Sequence, residues 1–309
     1  MNQDEYTISE SFVEVGDGHT LYVQDWGNKR ASTPIVFLHG GPGDSTNDGH
    51  KASFDPRSQR VIFFDQRGCG KSLPYGFMKN NTTQDLIEDI EKLATKLKLT
   101  NFILVGGSWG SCLALAYGLK YPKRVKAMVL GGIFTGSQAE IDYLAQGRWA
   151  IHFPDVWDAY LDRTPKSHQT NPSKYHYKMI LGSNGLAAKK SAYACANVEA
   201  ALLKLDERFT PPNFDDYDPT GIKIEVYYMA NRCFLPDHYI LDNARQLRMP
   251  IWLIQGRYDM VCPPVTAYEL NYKLSSSHLI WTVAGHSNDR PNYDVRRTIL
   301  LQMTQAKRN

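Results

Sequence analysis

Near-continuous apolar runs recur along the first part of the chain: Ile35-Val36-Phe37-Leu38, Val61-Ile62-Phe63-Phe64, Phe102-Ile103-Leu104-Val105 and Val125 to Leu130. Each is short and opens into a Gly- or Asp-containing turn, the pattern of parallel strands covered on both faces. Ahead of them, Phe12-Val13 and Leu21-Tyr22-Val23 flank Gly16-Asp17-Gly18 and predict an antiparallel hairpin. Between the second and third runs the period changes. Leu86, Ile90, Leu93 and Leu97 recur at helical spacing, and Thr82 with Asp85 supplies a capping box. A second helix is predicted from Trp109, presenting Leu113, Ala116 and Tyr117 inward and ending at Tyr121-Pro122. The alternation resumes late, with a strand at Ile251 to Ile254, a helix over Val265 to Leu274, a strand at Leu279 to Val283 and a closing helix after Pro291. Strand and helix units in this order predict an α/β protein with a mostly parallel, doubly wound sheet.

Residues 134–248 break that rhythm. They are rich in Tyr, Trp, Asn and Pro, with amphipathic helical stretches and no convincing strand, and Pro211-Pro212 and Asp218-Pro219 mark turns within them. The expected organisation is therefore a catalytic domain in two pieces, 1–133 and 249–309, with a helical cap domain at 134–248 inserted between them.

Composition narrows the classes. At 42% hydrophobic and 22% charged residues the chain is ordinary globular material, which excludes disorder. Its net charge of +3 is spread without a long single-sign run, which argues against nucleic acid as a partner. The start, Met1-Asn2-Gln3-Asp4-Glu5, has neither the basic nor the apolar region of a secretory signal, and no apolar stretch is long enough to span a membrane. A cytoplasmic protein without membrane association is expected. The five cysteines form no C-x-x-C pair and the histidines no ligand spacing, so neither a metal nor a cofactor is expected.

The chemistry concentrates at Gly106-Gly107-Ser108-Trp109-Gly110, which follows a predicted strand and opens a predicted helix. That is the context of the G-x-S-x-G nucleophile elbow of the α/β-hydrolase fold. A serine hydroxyl needs a histidine to take its proton and a carboxylate to orient that histidine. Downstream of the insertion only His278 and His286 remain. His278 begins a strand, whereas His286 follows one, in Ala284-Gly285-His286-Ser287. Asp259 follows the strand Ile251 to Ile254 and completes the order Ser, Asp, His. Taken singly, Asp259 reads as a loop-capping aspartate and His286 as an exposed histidine. Their joint placement after consecutive strands assigns Ser108 as nucleophile, His286 as general base and acid, and Asp259 as its orienter. The oxyanion donors are expected to be the backbone N–H groups of Trp109 and Gly41, the latter in His39-Gly40-Gly41-Pro42-Gly43. Gly68-Cys69-Gly70-Lys71-Ser72 imitates the end of a P-loop, but Asp65 stands where the first glycine is required, so nucleotide binding is rejected.

With these motifs the chain resembles the prolyl iminopeptidase (proline iminopeptidase) family of α/β hydrolases. The likeness spans nearly the whole sequence and rests on His39-Gly-Gly-Pro-Gly43, Asp65 to Ser72, the elbow, Gly131-Gly-Ile-Phe134, Phe153-Pro-Asp155, Gly256-Arg-Tyr-Asp259 with Val261-Cys-Pro263, and Ala284 to Ser287. The resemblance implies a serine aminopeptidase that releases N-terminal proline from small peptides through an acyl-enzyme. It implies that Glu199 and Glu225 bind the free amino group, and that Phe134 and Tyr143 line a pocket for the pyrrolidine ring. Without it, both glutamates would read as solvated helix residues. Two departures stand out: Cys195 and Val198 occupy positions where the family carries tryptophans, and Arg290 replaces a glutamate after the histidine. Two alternatives stay open on sequence alone. One is a carboxylesterase or amidase with no demand for a free amine. The other is a silent hydrolase-fold interaction protein, against which the intact Ser108, Asp259 and His286 argue.

Overall fold

The computed structural model describes residues 3–182, 185–203, 205, 210, 212–287 and 290–305. Eight strands form one sheet: β1 (Thr7–Gly16), β2 (His19–Gly27), β3 (Ile35–Leu38), β4 (Arg60–Phe64), β5 (Phe102–Ser108), β6 (Val125–Ile133), β7 (Ile251–Gly256) and β8 (Ser277–Thr282). Their order across the sheet is β1-β2-β4-β3-β5-β6-β7-β8. The pairs β1/β2 and β2/β4 are antiparallel and all others parallel. The helices are α1 (Asp48–Lys51), α2 (Thr83–Lys96), α3 (Trp109–Lys120), α4 (Gln138–Ala145), α5 (Pro154–Asp162), α6 (Pro172–Gly182), α7 (Leu186–Leu203), α8 (Thr220–Ala230), α9 (Tyr239–Asn243), α10 (Pro264–Lys273) and α11 (Arg290–Gln305).

The continuous apolar runs resolve into two faces by the two-residue period of a strand. Val36, Leu38, Ile62, Phe64, Phe102 and Leu104 join a core with Leu86, Ile90 and Leu93 of α2, Leu113 and Tyr117 of α3, and Leu270 of α10. Ile35, Phe37, Val61, Phe63, Ile103 and Val105 join a second core with Phe54 and with Ile299 and Leu300 of α11. Both faces are covered, so neither could be polar. The Thr82 capping box is present, its hydroxyl accepting from the Asp85 N–H while the Asp85 carboxylate accepts from the Thr82 N–H.

Two elements exceed their expected extent or burial. The hairpin ladder runs from Thr7, well before Phe12, because β1 is an edge strand whose outer positions need no apolar side chain. Helix α3 is buried from Trp109 to Gly118 and not on one face alone. The reason is the segment between β6 and β7, which carries only helices among the described residues and lies over α3. Trp149, Leu202, Tyr228 and Cys233 of that segment enter the same core as Leu113 and Cys112. Only Ile180, Ala192 and Val226 form a small core of the segment's own. Polar ties add to this. Tyr228 donates to Asn81 Oδ1 (2.8 Å), Gln84 Nε2 to the Phe234 carbonyl (2.7 Å), and Thr83 Oγ1 to the Cys233 carbonyl. The Asp218-Pro219 turn leads directly into α8, whereas Pro211 of the other expected turn lies outside the described residues. No helix of the described residues is long and apolar enough to cross a membrane.

Candidate active site

Strands β3, β5, β7 and β8 deliver their C-terminal ends to one place. Ser108 ends β5 and precedes α3 with φ 56° and ψ −129°, a strained backbone for a residue with a side chain. The flanking glycines explain how the turn closes. A Cβ on Gly106 would lie 2.5 Å from the Gly110 carbonyl oxygen, and one on Gly110 would lie 2.2 Å from that of Leu38. Helix α3 can therefore start hard against β5 and β3 only where both positions lack side chains. Trp109, as the first residue of α3, has an N–H with no intrahelical acceptor.

Asp259 follows β7 and is fully enclosed. Its Oδ1 accepts from the N–H groups of Val261 (3.0 Å) and Cys262 (2.8 Å), and its Oδ2 from Gln255 Nε2 (3.0 Å). His286, after β8, donates from Nδ1 to this carboxylate at 2.9 and 3.0 Å, which leaves Nε2 as the acceptor. Burial opposes protonation of the imidazole, but the Asp259 carboxylate and the charge of Glu199 outweigh it and raise its pKa above the usual value. Ser108 and His286 line one cavity of about 510 Å³. No hydrogen bond joins Ser108 Oγ to His286 among the described residues; such contacts tighten on substrate binding. Cys262 lies within reach of the Ser108 hydroxyl, and burial pushes its thiol so far up that it stays protonated.

The loop after β3 forms the opposite wall. Gly41 has φ 99°, and a Cβ there would sit 2.6 Å from the Gly43 nitrogen. His39 beneath it accepts the Gln66 N–H at Nε2 (2.9 Å), Gln66 Nε2 donates to the His39 carbonyl (3.0 Å), and the Trp109 indole donates to Gln66 Oε1 (2.9 Å). One side chain thus fixes both the Gly41 loop and Trp109. The P-loop imitation is explained as well: Asp65 accepts the N–H groups of Lys71 and Thr46, so its carboxylate fills the space a phosphate would need.

The helical segment roofs the cavity. Glu199 of α7 and Glu225 of α8 both line it, with their carboxyl groups within hydrogen-bonding reach of each other. Burial raises both pKa values, and the Glu199 charge raises that of Glu225 further. Helix α8 is seated on the Gly41 loop by a backbone approach so close that a Cβ on Gly43 would lie 2.2 Å from the Gly221 carbonyl oxygen. Helix α7 is tied to the histidine loop by the Ser287 N–H, which donates to the Leu203 carbonyl (3.0 Å).

The structure therefore brings Ser108, His286, Gly41, Glu199 and Glu225 to one cavity, with Asp259 behind His286 and Trp109 behind Ser108. It does not bring Phe134 and Tyr143 to that wall. Phe134 is buried in the main core, its backbone N–H bonded to Ser111 Oγ (3.0 Å), and Tyr143 packs against the same core. The apolar space beside the glutamates is instead a second cavity of about 60 Å³, bounded by Leu144, Trp149, Tyr177, Cys195, Val198 and Met229 among others. Cys195 and Val198 are thus positions where a tryptophan would fill space that this chain leaves open. Arg290 does not approach the site; its side chain is 91% exposed and pairs with Asp294. Asn288 and Asp289 beside it lie outside the described residues. Sequence reasoning missed Gln255, which nothing local marks, and gave no role to Gln66, although it lies within the Asp65 to Ser72 motif. It also missed Arg296, a cation on the buried stripe of α11 with Ile299 and Leu300, which was a readable signal.

Comparison with known proteins gives the fold and the family. Residues 33–287 match the family model of the alpha/beta hydrolase fold. The chain is 36% identical over 305 residues to a proline iminopeptidase of Arabidopsis thaliana, covering 96% of this chain and 80% of that one. It is 37% identical over 278 residues to a probable proline iminopeptidase of Leptolyngbya boryana, covering 87% and 85%. Among solved structures, the proline iminopeptidase of Mycobacterium smegmatis superposes with a TM-score of 0.64 at 20% identity, covering 96% and 98%.

Proposed function

The chain belongs to the proline iminopeptidase family of α/β hydrolases, and from that premise we propose that it is a serine aminopeptidase releasing N-terminal proline from small peptides. The observation that carries this reading is the carboxyl pair Glu199 and Glu225 on the wall of the cavity that also holds Ser108 and His286. A half-buried acid pair at that place suits a protonated N-terminus. The arriving ammonium favours the ionised carboxylates, and each charge-assisted bond contributes about 1.5 to 3 kcal/mol.

In the proposed cycle, Ser108 Oγ attacks the prolyl carbonyl carbon while His286 Nε2 takes the hydroxyl proton. Asp259 holds Nδ1–H and stabilises the imidazolium. The oxyanion is received by the N–H groups of Gly41 and Trp109, each such donor supplying about 3 to 4 kcal/mol. His286 then gives its proton to the departing amine, the C–N bond breaks, and a prolyl ester remains on Ser108. Water attacks the ester with His286 again as base, and proline leaves. The ring is assigned to the apolar walls beside the glutamates, among them Leu144, Val198 and Met229. The cysteines of the described residues are free thiols, four of the five buried, which suits the reducing cytoplasmic setting assigned here.

The test compares a prolyl arylamide with its N-acetylated form. The free amine should be cleaved at least about 100-fold faster, as expected for losing two charge-assisted contacts. Equal rates would mean that the acid pair does not read an amine, and the esterase or amidase reading would replace this one.

A further inference from the structure

The cavity around Ser108 has opposite charge on its two sides. Toward the cap it carries Glu199 and Glu225. Toward the sheet and α11 its wall includes Phe37, His50 and Arg296. Arg296 is 5% exposed, and burial pushes its pKa down to about 10, which leaves it charged at neutral pH. Its guanidinium lies against the strand ends that carry Ser108. A Cβ built on Gly131 would come within 2.8 Å of Nη2, and one on Gly107, the residue before Ser108, would stand 4.0 Å from it. No positive φ demands glycine at either position. What a side chain at 131 would displace is the guanidinium, so Gly131 makes room for a cation at this point.

His50 supplies a second donor. Its Nδ1 accepts the Asn47 N–H at 3.2 Å, which places the ring proton on Nε2, and its ring packs on Phe37 with centroids 4.8 Å apart. Burial keeps it neutral, with a pKa lowered to about 4. Asp44 and Asp65 act on it in the opposite sense to Arg296. Asp44 also lines the cavity but is exposed and screened by solvent, while Asp65 is taken up by Thr46 and Lys71.

Resting on the aminopeptidase reading, we propose that Arg296 and His50 bind the C-terminal carboxylate of a dipeptide substrate, so that the cavity selects a short zwitterion with its amine at the glutamates and its carboxylate at the guanidinium. A guanidinium has five N–H donors in a planar fork, so it can serve protein groups and a carboxylate together. The reach is suitable. In a dipeptide the carboxylate is one residue, at most about 3.6 Å of extended chain, beyond the scissile carbonyl. Arg296 packs against the residue adjacent to Ser108, which matches one residue and not several.

The experiment measures kcat/KM for Pro-Gly, Pro-Gly-amide and a prolyl arylamide. Wild-type enzyme should prefer Pro-Gly over its amide by about tenfold or more, the worth of one charge-assisted bond. Arg296→Met should bring that ratio close to one, and Arg296→Lys, which keeps charge but loses the fork, should leave it intermediate. Equal efficiency of wild-type enzyme on Pro-Gly and Pro-Gly-amide overturns the proposal, even where Arg296→Met fails to fold. If the arylamide is cleaved and that ratio is one, only the carboxylate site falls. If none of the three is cleaved, the aminopeptidase reading falls and takes this proposal with it.

Discussion

Ser108 and Glu199 face the same cavity, yet the chain fixes them by different means. Ser108 is held by backbone. Gly106 and Gly110 permit a turn that no other residues could close, and the strand register carries the hydroxyl to the sheet's C-terminal edge. Glu199 stands on a helix whose own core is small, positioned by α8 resting on Gly43 and by Ser287 bonding to Leu203. The lesson is that the elbow encodes reactivity in a short local motif, while the glutamate pair encodes amine recognition through contacts between distant segments. Substitutions at the elbow and its partners should therefore act on turnover, and those at the glutamates on recognition of the amine.

The largest effect expected is from Ser108→Ala, which should lower kcat by about 10⁴-fold or more on every substrate while leaving the melting temperature near that of the parent. Steady-state kinetics with a calorimetric scan checks both. Retained turnover would break the assignment of the sheet side.

Glu199→Gln comes next, with KM for a prolyl arylamide rising about 10- to 100-fold through one lost charge-assisted contact and kcat changing far less. It also carries a pH signature. His286 must be neutral to accept the serine proton, so kcat/KM falls as pH drops through its pKa, which is raised above the usual histidine value in part by Glu199. Removing that charge lowers the pKa, and the acid limb should move to lower pH. An acid limb that stays in place, or moves up, would separate Glu199 electrostatically from His286 and blur the contrast between the two sides.

The smallest effect is a control. Thr82→Ala removes the N-cap of α2, far from the chemistry, and should cost about 1 kcal/mol of stability without changing kcat or KM. A change in KM would show that the ties from the start of α2 to Cys233 and Phe234 transmit to the roof of the cavity.

The sequence alone carried the order of strands and helices, the elbow, and the Ser, Asp, His succession, because each of these is a local matter. Strand runs, capping boxes and glycine turns depend on neighbours a few residues apart, and chain order after consecutive strands then specifies one edge of the sheet. It did not reveal that Phe134 is core, that Arg290 faces solvent, or that Gln66, Gln255 and Arg296 serve the cavity. Those facts depend on which segments meet across large sequence separations, as when Gln66 joins His39 to Trp109 or Gly131 yields space to Arg296. Burial also reversed a reading. Glu199 and Glu225 look like solvated helix residues until α7 and α8 bring them together, where desolvation raises both pKa values and the Glu199 charge raises that of Glu225 further.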